Sequence, residues 1–258
     1  MRKVWIITVL SVNLILILFL IRHLYSVPLI LPVGIAAFYL ITMIYGSFAI
    51  NSGFYINAVC RGATIKKQLA LTFDDHPAGT QTHRVLDILK ENQIKATFFC
   101  IGNRIPGNED VLLRMQQEGH LIGNHSYSHS VFWGFFPPEK AKAELEQASE
   151  QIFSVTKEKP LLFRPPFGVT NPSIRKAVNK LQLTTVGWSL RSLDTVISDE
   201  QKVLNRIKKK LHPGAIVLLH ERHPGIDVVL NGIITFARNE GYQIVALDKL
   251  LTITPYEK

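Results

Sequence analysis

Apolar residues fall along this chain in two different patterns. From Val4 to Ile21, VWIITVLSVNLILILFLI carries no charge, with Ser11 and Asn13 as polar breaks. After Arg-His-Leu-Tyr-Ser a second uncharged run extends from Val27 to Ile50. Each is near the ~20 residues a helix needs to cross a bilayer. Beyond residue 50 the runs become short and alternate with amphipathic stretches. Strands are predicted at 69–73 (LALTF), 96–101, 120–124, 161–163, 184–188, 215–219 and 243–247, each brief, β-branched or aromatic, and bounded by Gly, Pro or polar residues. Helices are predicted at 82–93, 137–153, 172–181, 199–211 and 227–241 from their spacing of apolar residues, with Pro at two starts and Gly241 at the last stop.

Strand–helix alternation over about 200 residues argues for parallel strands in an α/β fold, as a barrel or an open sheet. Either way the ligand site forms outside the carboxyl ends of the strands. The expected division is therefore a membrane anchor at 1–50 (helices near 4–21 and 27–50), a linker and approach to the barrel at 51–68, and a catalytic domain at 69–258. A secretory signal peptide is the competing account of the first run, because Met-Arg-Lys has the charge of an n-region. No small-residue cleavage site follows it, and the second run needs its own explanation, so a two-span hairpin is preferred. Pro28, Pro32, Gly34 and Gly46 in that second run suit a membrane helix better than a soluble one.

Charge adds orientation. Arg2, Lys3, Arg61, Lys66 and Lys67 flank the outer ends of the two runs, and Arg22 alone lies between them. The positive-inside rule then places both termini in the cytoplasm. The net charge of +9 is dispersed. With no aromatic-and-basic patch or binding module, it excludes nucleic acid as a partner and suits anionic lipid headgroups instead. No protein partner is implied. The two cysteines, Cys60 and Cys100, form no CxxC or Cys/His zinc pattern.

The polar residues just after the strands carry the chemistry. Asp74 and Asp75 follow LALTF, NHSYSH follows HLIG, RPPFG follows LLF, WSLRSLD closes the fifth strand, and His220-Glu221 follows AIVLL. Five such clusters would converge on one rim. Adjacent strand residues point to opposite faces, so one aspartate can bind a cation while the other moves a proton. His125 and His129 are four apart, which on a helical turn projects both rings to one side. Two imidazoles and one carboxylate leave open positions on a divalent metal, as in catalytic zinc sites.

In this order and spacing, LTFDD, HSYSH, RPPFG, WSLRSLD and IVLLHE resemble the polysaccharide deacetylase family, the NodB homology domain or carbohydrate esterase family 4, over residues 65–252. The resemblance implies a distorted (β/α) barrel and metal-dependent hydrolysis of an N-acetyl (or formyl) group from an amino sugar. By the same resemblance Asp75, His125 and His129 hold one divalent metal ion, zinc first among the transition metals. Asp74 is the general base acting on water, Arg164 pairs with and orients it, and His220 is the general acid tuned by Asp194. The backbone N–H of Phe167 meets the developing oxyanion, while Leu218 and Trp188 shape the acyl pocket.

Two departures stand out. His76 replaces the glycine usual after the aspartate pair, and is a candidate extra donor or ligand. Thr195 replaces a tryptophan that usually walls the pocket. A barrel that has lost catalysis and binds glycan or a protein is the alternative reading. The expected substrate is a cell-envelope glycan, or, if the domain faces the cytoplasm, a lipid-linked sugar.

Overall fold

The computed structural model describes residues 2–25, 27–77 and 79–257. Residues 1 and 258, which bound the expected anchor and catalytic domain, lie outside the described residues. Two long helices come first, α1 (Arg2–Tyr25) and α2 (Ile30–Phe48). They pack side by side, with the Thr8 hydroxyl 3.2 Å from that of Tyr39. Their 19-residue apolar windows, Val4–Arg22 and Ile30–Phe48, are long and apolar enough to cross a membrane. Leu10, Leu20, Ile30 and Phe38 point into the surroundings, the pattern of helices that are hydrophobic all round.

The remaining elements alternate: β1 (Gln68–His76), α3 (Thr80–Glu91), β2 (Thr97–Cys100), α4 (Glu109–Gln117), β3 (Leu121–Asn124), α5 (Pro138–Thr156), β4 (Leu162–Phe163), α6 (Pro172–Lys180), β5 (Thr184–Thr185), β6 (Leu190–Arg191), α7 (Glu200–Lys210), β7 (Ala215–His220), α8 (Ile226–Asn239), β8 (Gln243–Ile244) and α9 (Leu247–Leu251). All strand pairings are parallel, in the order β5-β4-β3-β2-β1-β7-β6, with β8 added beside the start of β1. Among the described residues no ladder joins β5 to β6, so the sheet curls into a barrel left open on that side. This is the distorted α/β barrel the sequence implies.

Alternation along β1 divides the interior into layers. Leu69, Leu71 and Phe73 point outward into a large cluster with Val85, Leu86 and Leu89 of α3 and Val229, Leu230 and Ile233 of α8. Ala70 points inward with Phe99, Leu162, Val186 and Ile216, and Leu247 and Leu250 of α9 close that space from below. A third cluster joins Tyr55, Ile56, Trp133, Phe163 and Ile174, and Val4 and Met43 of the long helices pack against it. The segment between α2 and β1 is correspondingly tied down: Val59 bridges to Val186 and Arg61 to Ala215.

Four elements depart from the sequence expectation, the first being the strand expected at 184–188, which ends at Thr185. The helix at 109–117 and the short strand at 190–191 were not anticipated. The strand expected at 243–247 ends at Ile244, because Val245 makes its last bond to β1, donating to the Leu69 carbonyl (2.9 Å), before α9 begins at Leu247.

Candidate active site

The two aspartates end β1, the strand flanked on both sides. An undistorted strand would send them to opposite faces. Instead the β1–β2 register shifts between Phe73 and His76, and Asp75 takes a left-handed φ of 69°. Aspartate tolerates that conformation better than most residues. The carbonyl of Asp75 accepts from Arg104 Nη1 at 2.7 Å, which holds the bulge. Both carboxylates consequently face one imidazole: His125 Nε2 lies 3.8 Å from Asp74 Oδ2 and 3.8 Å from Asp75 Oδ1.

His129 completes this side, its Nε2 3.3 Å from Asp75 Oδ1. The helical turn expected between the two histidines is absent. Ser126 (φ 63°) and His129 (φ 47°) are left-handed, and an irregular loop makes the approach instead. Polar side chains brace it: Asn124 Oδ1 accepts from Ser126 N–H (2.8 Å), Ser126 Oγ from His129 N–H (3.1 Å), and the Glu144 carboxylate from Ser128 N–H (2.8 Å).

Do Asp75, His125 and His129 suit a metal ion? One donor atom from each lies within 4.8 Å of the others. His125 Nδ1 donates to the Arg164 carbonyl at 2.8 Å, so its Nε2 lone pair is directed at the cluster, the arrangement expected of a supported ligand. Asp75 Oδ1 is buried with no hydrogen-bond partner, a costly state unless a cation meets it. Burial and the neighbouring His125 push the His129 pKa down to about 4, so at neutral pH its ring is uncharged with a lone pair free for a cation. Burial pushes Asp75 up, but His125, His129, His220 and Arg104 outweigh it and hold that carboxyl below its ordinary value. The donor set fits a divalent ion with open positions.

Beside this cluster Arg164 is fully buried and fully engaged. Its Nη1 donates to Asp74 Oδ1 (2.7 Å) and Thr72 Oγ1 (2.9 Å), Nε to the Val186 carbonyl (3.2 Å) and Nη2 to that of Gly187 (2.9 Å). The guanidinium also sits 4.2 Å over the Phe99 ring and 5.7 Å from that of Trp188. A surface ion pair is excluded, since the side chains of Arg164 and Asp74 are 0% and 6% exposed.

His220 occupies the rung of β7 paired with Asp74. Its Nδ1 donates to Asp194 Oδ1 at 2.8 Å, and its backbone N–H to Asp194 Oδ2 at 2.6 Å. Burial lowers the imidazole pKa, but the Asp194 bond and the charges of Asp74 and Asp75 overcome it, and the net shift is upward.

Phe167 has a left-handed backbone (φ 58°), and its half-exposed ring lies 4.6 Å from that of His129. Trp188 backs Arg164 and Gly168, where a Cβ on Gly168 would come within 2.6 Å of the indole. Leu218 is buried on β7 opposite Thr72, facing the barrel interior. Thr195 lines a cleft of about 410 Å³ with Asp75, Asp194, Val196 and Arg222.

The structure does not bring His76 to the cluster. Its ring is fully buried edge-on to Phe98, 4.7 Å between centroids, with Nδ1 3.0 Å from Glu221 Oε1 as a close contact rather than an aligned hydrogen bond. Nor does His76 need a glycine's freedom, because the left-handed residue is Asp75. Two contributors escaped the sequence reading: Arg104, which holds the Asp75 carbonyl, and Glu144, which braces the loop of His129. Neither has a local signal, because each acts on a loop distant from it in sequence.

Residues 61–186 match the family model described as polysaccharide deacetylase. The Bacillus subtilis peptidoglycan-N-acetylmuramic acid deacetylase PdaA is 32% identical over 194 residues, covering 74% of this chain and 73% of that protein. Among solved structures, the peptidoglycan N-acetylglucosamine deacetylase Bc1960 superposes with a TM-score of 0.73 at 26% identity, over 78% of this chain and 95% of that one. BA3943, a CE4 family pseudoenzyme from Bacillus anthracis, superposes at 0.70 and 28% identity, over 75% and 68%.

Proposed function

Because this chain belongs to the polysaccharide deacetylase family, hydrolases that act on amide bonds of amino-sugar glycans, we propose that it removes an N-acetyl group from an envelope amino sugar in a metal-dependent reaction. Asp75, His125 and His129 would hold a divalent ion, zinc first by the nature of the donors. When bound, such an ion polarises the acyl oxygen and acidifies a water molecule.

The chain's own residues then handle protons and position. Asp74 accepts the proton of the attacking water, and Arg164 fixes its carboxylate from behind. His220, its Nδ1–H committed to Asp194, presents Nε2 to the departing nitrogen and delivers a proton there. In this reading the Phe167 N–H meets the charge developing on the acyl oxygen. Leu218 and Trp188 bound the acyl group. The C–N amide bond breaks, water is added, and a free amine and acetate leave.

The observation that carries this reading is the rung Asp74–His220. Neighbouring strands present a carboxylate held by a buried arginine and an imidazole held by a buried aspartate, both beside the candidate metal ligands. We further take α1 and α2 as membrane spans that anchor the domain at the envelope. Flanking charge favours the cytoplasmic side, whereas a wall polymer lies outside. A carboxyl-terminal reporter active on only one side decides between them.

The direct test is acetate release from N-acetylglucosamine oligomers by the full-length protein, with and without a chelator. Chelator-sensitive release supports the reading. A second reading, a barrel that binds glycan without turnover, is kept in view by its likeness to a pseudoenzyme. It predicts glycan binding with no acetate from the metal-loaded protein.

A further inference from the structure

The metal-site loop runs directly into an apolar segment, Ser130 to Phe136 (SVFWGFF). Trp133 is fully buried, its Nε1 donating to the Val169 carbonyl at 3.3 Å, and Phe136 packs beside it. With these two as anchors, the residues between them are thrown outward: Val131, Phe132 and Phe135 are 75%, 65% and 85% exposed. Three large apolar side chains this exposed within five residues are not ordinary soluble surface.

A second loop lies beside the first. Phe167 touches His129, and three residues later Thr170 is bonded to the end of α2: its N–H donates to the Ser47 carbonyl (2.9 Å) and its hydroxyl to that of Gly46 (3.5 Å). Asn171 Nδ2 donates to the Gly134 carbonyl at 2.7 Å and joins the two loops. Three residues of chain span at most about 11 Å. The mouth of the site is thus about a nanometre from the last turn of a membrane-length helix. Exposed apolar side chains at that level are the kind that insert a few ångström into the headgroup–acyl boundary of a bilayer. Lys140, exposed and 4.0 Å over the Phe136 ring, adds a cation for acidic lipid.

We propose that Val131, Phe132 and Phe135 seat the rim of the active site in the bilayer interface, so that the substrate is an N-acylated amino sugar carried on a membrane lipid. This deepens the reading above and rests on it: α1 and α2 span, and the site deacylates. A lipid-borne sugar is held at the depth of this rim, and sharing a membrane raises its effective concentration. The hydrolysis itself is unchanged.

The test uses the full chain in nanodiscs. A fluorophore on Val131→Cys, in a Cys60→Ser background with Cys100 fully buried, is compared with one on Glu91→Cys at the far helix layer. Brominated lipid is expected to quench the first at least threefold more than the second; equal quenching overturns the docking surface whatever the activity. Turnover of a polyprenyl-phosphate-linked N-acetylhexosamine in the same disc is expected to exceed that of a soluble N-acetylglucosamine oligomer at least tenfold. Phe132→Ser with Phe135→Ser should lower the lipid-linked rate at least tenfold further than the soluble one. Equal losses, or preference for the soluble oligomer, overturn the substrate assignment. No turnover of either by metal-loaded protein overturns the deacetylase reading and this substrate with it, while quenching still judges the surface.

Discussion

His129 and His220 stand on either side of the same pair of aspartates, yet their environments drive them apart. Around His129 and His125 the neighbours are each other, a backbone carbonyl and an unpartnered carboxylate oxygen, and both rings are held neutral. Around His220 a buried carboxylate bonds Nδ1 directly, and the ring is biased toward its protonated form. At His125 and His129 burial prevails over the favourable pull of the Arg164 carbonyl and the two aspartates, so each ring stays a neutral lone-pair donor. A ring bonded to Asp194 has a counter-ion and becomes a proton donor. The site therefore has a ligand half, where burial prevails, and a proton half, where the Asp194 carboxylate bonded to the imidazole outweighs it.

The comparison breaks most visibly at His220. Replacing His220 by Ala removes the proton donor alone, so turnover should fall ~10²–10⁴-fold while bound metal, measured by atomic emission, stays at the wild-type level. Next is Arg164→Leu, which leaves Asp74 buried without its partner. A loss of about 3–5 kcal/mol in denaturant unfolding is expected, as when a buried pair loses one member. Folded protein of unchanged stability would mean that Asp74 finds another partner.

Asp194→Asn sharpens the comparison by pH. With His220 raised, the protonated acid survives above the ordinary imidazole range, and turnover is lost only as pH rises through that raised value. The asparagine removes the charge, so the alkaline limb should move down in pH. The sign for stability is the same: the His220 contribution is full below its unfolded pKa and fades as pH climbs through the folded one, and Asp194→Asn should flatten that dependence. The smallest effect on turnover is reserved for His76→Gly. It lies behind the site, so metal content and turnover should stay within a few-fold. The cost falls on stability instead: removing a fully buried ring packed on Phe73 and Phe98 should cost about 3–5 kcal/mol in denaturant unfolding.

What the sequence made legible were the features written in local pattern. Strand ends at Phe73, Asn124, Phe163 and Leu219 carry the polar clusters, and the structure gathers them. What it hid depends on distant partners. Alternation predicts opposed faces for Asp74 and Asp75, and only the β1–β2 register shift, held by Arg104 from 29 residues away, brings both to His125. The spacing of His125 and His129 is that of a helical turn, yet Glu144 and Asn124 hold a left-handed loop in its place. The strand at 190–191 has two residues and no pattern of its own; pairing with Val217 and Leu218 makes it. The helix at 109–117 has only Val111, Leu112 and Met115 as an apolar stripe, too brief to stand out from the loop before it. His76 was drawn toward the metal by proximity in sequence, but the left-handed Asp75 turns the next side chain into the helix layer.

The division of labour between the two aspartates is tested most directly by metal titration and acetate release on Asp74→Asn and Asp75→Asn, side by side with wild type. The account predicts that Asp74→Asn binds the ion with wild-type affinity and releases almost no acetate, while Asp75→Asn loses both. Wild-type metal affinity in Asp75→Asn, or sustained turnover in Asp74→Asn, would contradict it.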